Sequence, residues 1–139
     1  MWTVRSAEAS DLRAVVELWE REGGPTSMPG GLGEAVALLR RDPEALVVAT
    51  TDAGVVIGAL IVGWDGWRCH LYRLAVEPRH RRRGVARALV VEATRRASAL
   101  GARRLDAMVS LQNTTAVAFW EDQRFSRDRA DGRFCLVVG

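Results

Sequence analysis

The sequence predicts a mixed α/β (α+β) fold with mostly antiparallel strands, and three features of the chain carry that reading. Apolar, β-branched runs of strand length alternate with stretches whose apolar residues recur at helical spacing. Between residues 45 and 76 three such runs follow one another with only turn signals between them, so they form an antiparallel meander. In the last of the three the alternation slips by one residue. Cys69 and Leu71 are followed by Leu74 and Val76, the signature of a β-bulge.

The elements follow in order. Thr3 to Ala7 reads as a first strand. Ser10 offers an N-cap to a helix whose inner face is Leu12, Val15, Val16 and Trp19 and which ends at Gly23-Gly24. The stretch from Gly23 to Gly33 holds five glycines and two prolines and reads as a loop. A second helix, Glu34 to Arg41, stops before Pro43. Strands then run from Ala45 to Thr50, Val55 to Trp64 and Trp67 to Val76, joined by Thr51-Asp52-Ala53-Gly54 and Asp65-Gly66. Pro78 ends the third, because proline cannot donate to a ladder. A helix from Gly84 to Leu100, a strand from Arg104 to Ser110, a helix from Thr114 to Gln123 and a last strand from Arg133 to Val138 complete the chain.

At 139 residues the chain has the size of one domain, 1–139. A hydrophobic fraction of 48% with 27% charged residues describes a globular chain rather than a disordered one. No apolar run approaches the roughly 20 residues of a membrane span, and the N-terminus lacks a signal-peptide layout, so a cytoplasmic location is the default expectation. The net charge of +3 is too small to demand nucleic acid, and all the basic residues are arginine. Cys69 and Cys135 lack metal-ligand spacing and read as reduced thiols.

Arginine is concentrated between the bulged strand and the long helix, at Arg79, Arg81, Arg82, Arg83 and Arg87. A helix N-terminus exposes unpaired N–H groups and the positive end of its dipole, which suits phosphate. The dipole supplies only about 0.3–1 kcal/mol per exposed charge, so charge-assisted bonds from the arginines must supply much of any binding. The cluster lacks the interleaved aromatic residues of a single-strand nucleic-acid binder.

The segment Val76-x-Pro78-x-x-Arg81-x-x-Gly84-x-Ala86 resembles the acyl-CoA pyrophosphate loop, [QR]-x-x-G-x-[GA], of the GNAT superfamily of N-acyltransferases. The order of elements is similar to that family's from about Thr3 onward. A second stretch, Asn113-x-x-Ala116-x-x-Phe119-Trp120-x-x-x-Arg124-Phe125, resembles its N-x-x-A-x-x-F-Y-x-x-x-G-F motif. The resemblance implies the acyl-CoA N-acyltransferase fold: a mixed, mostly antiparallel central sheet with helices on both faces, splayed at the central strand. It also implies an acetyl-CoA-dependent N-acetyltransferase in which a primary amine attacks the thioester directly in a ternary complex. A non-catalytic acyl-CoA sensor of the same fold is the alternative.

The implied donor site comprises Leu74, Ala75 and Val76 on the opened strand edge, the loop residues Arg81, Arg82, Arg83, Gly84, Val85, Ala86 and Arg87, and Asn113 and Phe119 of the second motif. The pantetheine arm of acetyl-CoA would pair with the freed edge as an added strand does. An N–H at or near Val76 would stabilise the oxyanion. The family has glycine where this chain has Arg82 and again where it has Arg124, and tyrosine where it has Trp120. An indole has no proton of useful acidity, so the tyrosine's acid role does not carry over.

The chemistry also needs a base, because amines are mostly protonated at neutral pH. Deprotonation costs about 1.4 kcal/mol for an α-amino group and about 4.6 kcal/mol for a lysine. His70 has the side-chain type suited to that task and matches a strand position where relatives carry a glutamate or histidine base. Glu77 and Asp106 are weaker candidates that suit a solvated strand end. Tyr72, on the same face as His70, or solvent would serve as the acid for the leaving thiolate if one is needed. Acceptor choice is expected from the 23–33 loop and the turn Trp64-Asp65-Gly66-Trp67, and the last strand could serve as an edge that pairs two subunits into a homodimer.

Overall fold

A computed structural model describes residues 1–22 and 30–138. The first part of the loop expected at 23–33 therefore lies outside the described residues. The chain divides into two compact units, Met1–Met108 and Val109–Gly139, each described by itself.

The first unit is built on a five-stranded sheet in the order β1-β2-β3-β4-β5. Its strands are β1 (Trp2–Ser6), β2 (Leu46–Thr51), β3 (Val56–Trp64), β4 (Cys69–Val76) and β5 (Leu105–Ala107). The β1/β2, β2/β3 and β3/β4 pairs are antiparallel, whereas β4 and β5 are parallel. The meander turns form where glycine permits a left-handed residue, with Gly54 at φ 83 and Gly66 at φ 96.

Helices α1 (Leu12–Glu22) and α2 (Leu32–Arg41) cover one face of the sheet. There Leu12, Val15 and Trp19 pack in one buried cluster with Leu46, Val48, Ala59, Ile61 and Ala75. Each fully buried aliphatic side chain of this kind contributes roughly 1.5–3 kcal/mol. Helix α3 (Val85–Ala99) covers the opposite face and meets β3 at Gly58. A Cβ on that glycine would lie 3.0 Å from both Leu89 and Val85, so only glycine lets the helix approach so closely. The C-terminal end of α3 closes in a Schellman turn: Gly101 N–H donates to Ser98 C=O and Ala102 N–H to Ala97 C=O, with Gly101 at φ 93.

The start of α1 differs from expectation. A 3-10 turn, Ala9–Asp11, precedes the helix with Glu8 rather than Ser10 at its N-cap, and Asp11, at N3, reaches back to that cap. Asp11 Oδ2 accepts the Glu8 N–H at 2.7 Å, and Arg5 binds the same carboxylate in bidentate fashion at 2.7 and 3.1 Å. The Arg5 guanidinium, assisted by the Glu8 N–H and opposed by burial, holds the Asp11 carboxyl below its usual range. A hydroxyl could not have answered a guanidinium and an N–H together as strongly.

The second unit holds α4 (Thr114–Asp122), whose N-cap is Asn113; its side chain accepts the Ala116 N–H at 3.0 Å. The strand expected from Arg133 to Val138 does not form. Phe134, Leu136, Val137 and Val138 are all exposed, and residues 109–138 contain no strand with which this segment could pair. An alternating sequence confers strand propensity, but a strand exists only with a ladder partner. The strand expected from Arg104 to Ser110 is likewise cut to its first half.

Candidate active site

The slip of alternation in β4 is a bulge. Tyr72 pairs with Ile61 and Ala75 with Ala59, so Leu60 alone faces both Arg73 and Leu74. Arg73 takes the left-handed conformation, φ 59. On the other side of β4 the parallel ladder to β5 covers only Cys69, His70 and Leu71, paired with Leu105, Asp106 and Ala107. Beyond Leu71 the two strands part. The backbone of Leu74, Ala75 and Val76 therefore has a sheet neighbour on the β3 side only, which is the opened edge that the sequence predicts.

That edge runs into the arginine loop. A 3-10 turn, Pro78–His80, carries the chain from β4 towards α3. Gly84 forms the N-cap of α3 at φ 82, with open space where a Cβ would project. Among the described residues, Arg81 N–H donates to Pro78 C=O and Ala88 N–H to Gly84 C=O, while the N–H groups from Arg82 to Ala86 have no hydrogen-bond partner. A run of free N–H groups at a helix start is an anion-binding concavity. Arg81 is not wholly available, because its guanidinium pairs with Glu22 at 2.7 Å. Arg82, Arg83 and Arg87 are exposed and form no ion pair among the described residues. Val85 is buried against the sheet, so its side chain anchors the helix and only its backbone faces the loop.

Arg82 adopts φ 62, the same kind of conformation that glycine serves elsewhere in the chain. The arginine does not bypass the turn; it accepts a left-handed residue at about 1–2 kcal/mol. Arg124 does likewise at φ 70. Its N–H donates to Glu121 C=O and the Phe125 N–H to Trp120 C=O, which completes a Schellman motif without glycine. Trp120 is buried and meets Phe119 and Phe125 edge-on, at 5.4 and 4.9 Å between centroids. Its indole is a packing element at the end of α4. Asn113 and Phe119 both lie in this second unit.

His70 and Tyr72 project from the same face of β4, opposite Gly63 and Ile61 of β3. Together they line a cavity of about 230 Å³ whose other walls include Gly63, Trp64, Asp65, the α2 residues Leu38 and Arg41, and Asp42 at the C-cap of α2. A Cβ on Gly63 would come within 3.4 Å of the Tyr72 ring, so the glycine leaves the phenol its place. Burial, opposed by the charge of Arg73, raises the pKa of the Tyr72 phenol, which therefore stays protonated at neutral pH. Asp65 Oδ1 accepts the N–H groups of Arg68 and Trp67 at 2.6 and 2.7 Å, and these bonds lower its pKa. The α2 contribution to this cavity was not foreseen. Arg41 and Asp42 read as an ordinary charged helix end, and nothing in their spacing points to β4.

The other candidates have partners or surroundings of their own. Glu77 is paired with Arg21 at 3.5 Å and Asp106 with Arg104 at 2.8 Å. Cys69 is buried on the α3 face, and burial, with Asp106 and Asp65 adding to it, pushes its thiol up, away from the thiolate. A larger cavity of about 640 Å³ lies between the start of α1 and α2, walled by Leu12, Leu32, Val36 and Leu39. It contains no residue of β4 or of the arginine loop.

A sheet splayed at a bulged strand, with an anion-binding helix start at the mouth of the splay, defines a protein of the acyl-CoA N-acyltransferase fold. The chain belongs to the acetyltransferase (GNAT) family, whose profile matches residues 10–125. It is 30% identical to an acetyltransferase of Pectobacterium atrosepticum over 136 residues, covering 98% of this chain and 92% of that one. Among solved structures it resembles Ard1 from Thermoplasma volcanium, with a TM-score of 0.78 and 22% identity over 90% of this chain and 82% of that one. It also resembles the Rv2747 protein of Mycobacterium tuberculosis, solved in complex with CoA, with a TM-score of 0.67 and 21% identity over 84% and 70% of the two chains. The chain is thus an acetyltransferase-type enzyme, and its family transfers acyl groups from acyl-CoA to an acceptor. Among the described residues no helix is long and apolar enough to cross a membrane.

Proposed function

We propose that this chain is an acetyl-CoA-dependent N-acetyltransferase that works as one domain over 1–139 and acetylates a primary amine by direct attack in a ternary complex. The observation that carries the reading is the junction of the opened β4 edge, at Leu74 to Val76, with the free N–H groups of Arg82 to Ala86. The edge supplies hydrogen bonds for an extended amide-bearing arm, and the loop supplies them for a pyrophosphate at its far end. Arg82, Arg83 and Arg87 add charge to the same end, and Arg81 adds to it while tied to Glu22.

The reaction needs a neutral amine, an oriented thioester and a stabilised oxyanion. His70 takes the proton of the incoming ammonium, directly or through one water. The amine nitrogen then bonds to the thioester carbonyl carbon, and the oxyanion so formed is held by a backbone N–H at or near Val76. Its collapse breaks the carbon–sulfur bond, and the thiolate takes a proton from Tyr72, which is protonated at neutral pH. The proton still carried by the new amide nitrogen passes to the Tyr72 phenolate, directly or through water. Cys69 forms no acyl-enzyme, because its buried thiol has no access to the donor. The acceptor enters through the cavity shared by His70, Tyr72 and Asp65.

The packing of Trp120 between two phenylalanine rings, at the position of the family's acid tyrosine, favours a second reading: an acyl-CoA sensor without turnover. One experiment separates the two. Thiol release is measured from acetyl-CoA with a panel of primary amines, for the native chain and for His70→Ala. The transferase reading predicts release with at least one amine and its loss, by about 10²–10⁴-fold, in His70→Ala. CoA binding with no release across the panel, unchanged by the substitution, identifies the sensor.

A further inference from the structure

The bulge that opens β4 is not self-supporting. Arg73 occupies a conformation that L-residues avoid, φ 59, and its partner strand offers one residue, Leu60, against two. A bulged residue also leaves the ladder, so its C=O must find a partner elsewhere or go without one. A strand in that state gains by sliding one residue into a regular register. That slide would turn over every side chain beyond the bulge and close the gap beside Leu74 to Val76.

One side chain on the opposite layer answers both problems. Trp19, on α1, donates its indole Nε1–H to the Arg73 C=O at 2.6 Å. The Arg73 guanidinium in turn lies over the Trp19 ring, 5.6 Å from its centroid. The indole itself is fixed, being 8% exposed within the buried cluster beneath α1 and α2. Phenylalanine could fill that space and stack with the guanidinium, but it could not bond to the carbonyl. Choosing tryptophan here satisfies the bulged residue and holds it in its left-handed conformation from two directions.

We propose that Trp19 is a positioning residue for acyl transfer: it pins the β4 bulge in its open register and thereby sets the backbone of Leu74 to Val76 that the acyl donor lies along. Trp19 touches neither donor nor acceptor; it acts through Arg73. The inference rests on the reading of that edge as the donor site only for its consequence in catalysis, since the pinning of the bulge is a property of the ligand-free chain.

The test uses Trp19→Phe in the full chain, with Leu18→Ala as a control that removes buried volume from the same helix. Amide hydrogen exchange without ligand is followed at Ala75 and Glu77, whose N–H groups face β3 beyond the bulge, and CoA affinity and the KM values for acetyl-CoA and for the amine are measured. Trp19→Phe should raise exchange at these two amides about tenfold relative to the strands β1 to β3, the scale of one lost neutral hydrogen bond. It should weaken CoA by a similar factor and leave the KM for the amine within about twofold of the native value. Leu18→Ala should lower Tm with no selective change at those amides. Exchange and CoA affinity in Trp19→Phe indistinguishable from the native chain would overturn the proposal, as would the same selective pattern in Leu18→Ala. If Trp19→Phe does not fold, the native chain still decides: the Trp19 indole N–H must resist exchange as the backbone amides of β3 do, and rapid exchange there rejects the proposal. A native chain that does not bind CoA would remove the donor-site reading, while the exchange data would still decide whether Trp19 pins the bulge.

Discussion

The two halves of β4 are one strand with two different environments. From Cys69 to Leu71 it is paired on both sides, and Cys69 and Leu71 are almost fully buried. From Leu74 to Val76 it is paired on one side only and leads into a loop of exposed arginines. The bulge at Arg73 divides them. The difference teaches how one element can hold the side chain proposed as the base rigidly and still present unused backbone. The paired half fixes His70 and, next to the bulge, Tyr72, while the opened half is left for an added strand.

Substitutions can separate these halves. The largest effect is expected in the paired half, where His70→Ala should lower kcat about 10²–10⁴-fold while CoA affinity stays within about twofold of native, measured by thiol release and calorimetry. Next comes the loop beyond the opened half. Gly84→Ala forces a side chain into φ 82 at about 1–2 kcal/mol, so CoA affinity or Tm should fall by the corresponding amount, with kcat at saturating donor nearly kept. A smaller effect of opposite sign is expected at the left-handed arginines. Arg124→Gly should raise stability by about 1 kcal/mol in denaturant unfolding. Arg82→Gly should bring the same relief but weaken CoA, because it also removes a cation from the loop.

The smallest effect concerns the scaffold common to both halves. The carboxyls of Asp11 and Glu92 are held low, the first by Arg5 and the second, at about 2, by Arg95 and Arg96. Depressed carboxylates stabilise the fold above their unfolded pKa and lose that contribution as pH falls through the folded value. The expected result is a chain of constant Tm down to about pH 4.5 that then loses stability progressively towards pH 2. Asp11→Asn should blunt the loss, which thermal unfolding at each pH will show.

Much of this was legible in the chain itself, for reasons that are local. The hairpin turns are marked by glycine, the bulge by the slip from Leu71 to Leu74, and the helix start by Gly84 after its arginines. What escaped depends on partners far away in sequence. The segment from Arg133 to Val138 has strand composition, but pairing is a tertiary fact. Ser10 and Asp11 are equally good capping types, yet the turn starts at Glu8 and Asp11 reaches back to its N–H, held there by Arg5 on β1. Trp19 reads as one more apolar residue on a helical stripe, since no local pattern reveals that its N–H meets a carbonyl 54 residues on. Arg41 and Asp42 of the cavity wall are hidden for the same reason.

Amide hydrogen exchange with and without acetyl-CoA tests the central claim most directly. The account predicts protection at Leu74 to Val76 and at Arg82 to Ala86, with Cys69 to Leu71 unchanged because their ladders are already complete. Protection confined to other parts of the chain, or none at either segment with acetyl-CoA bound, would contradict it.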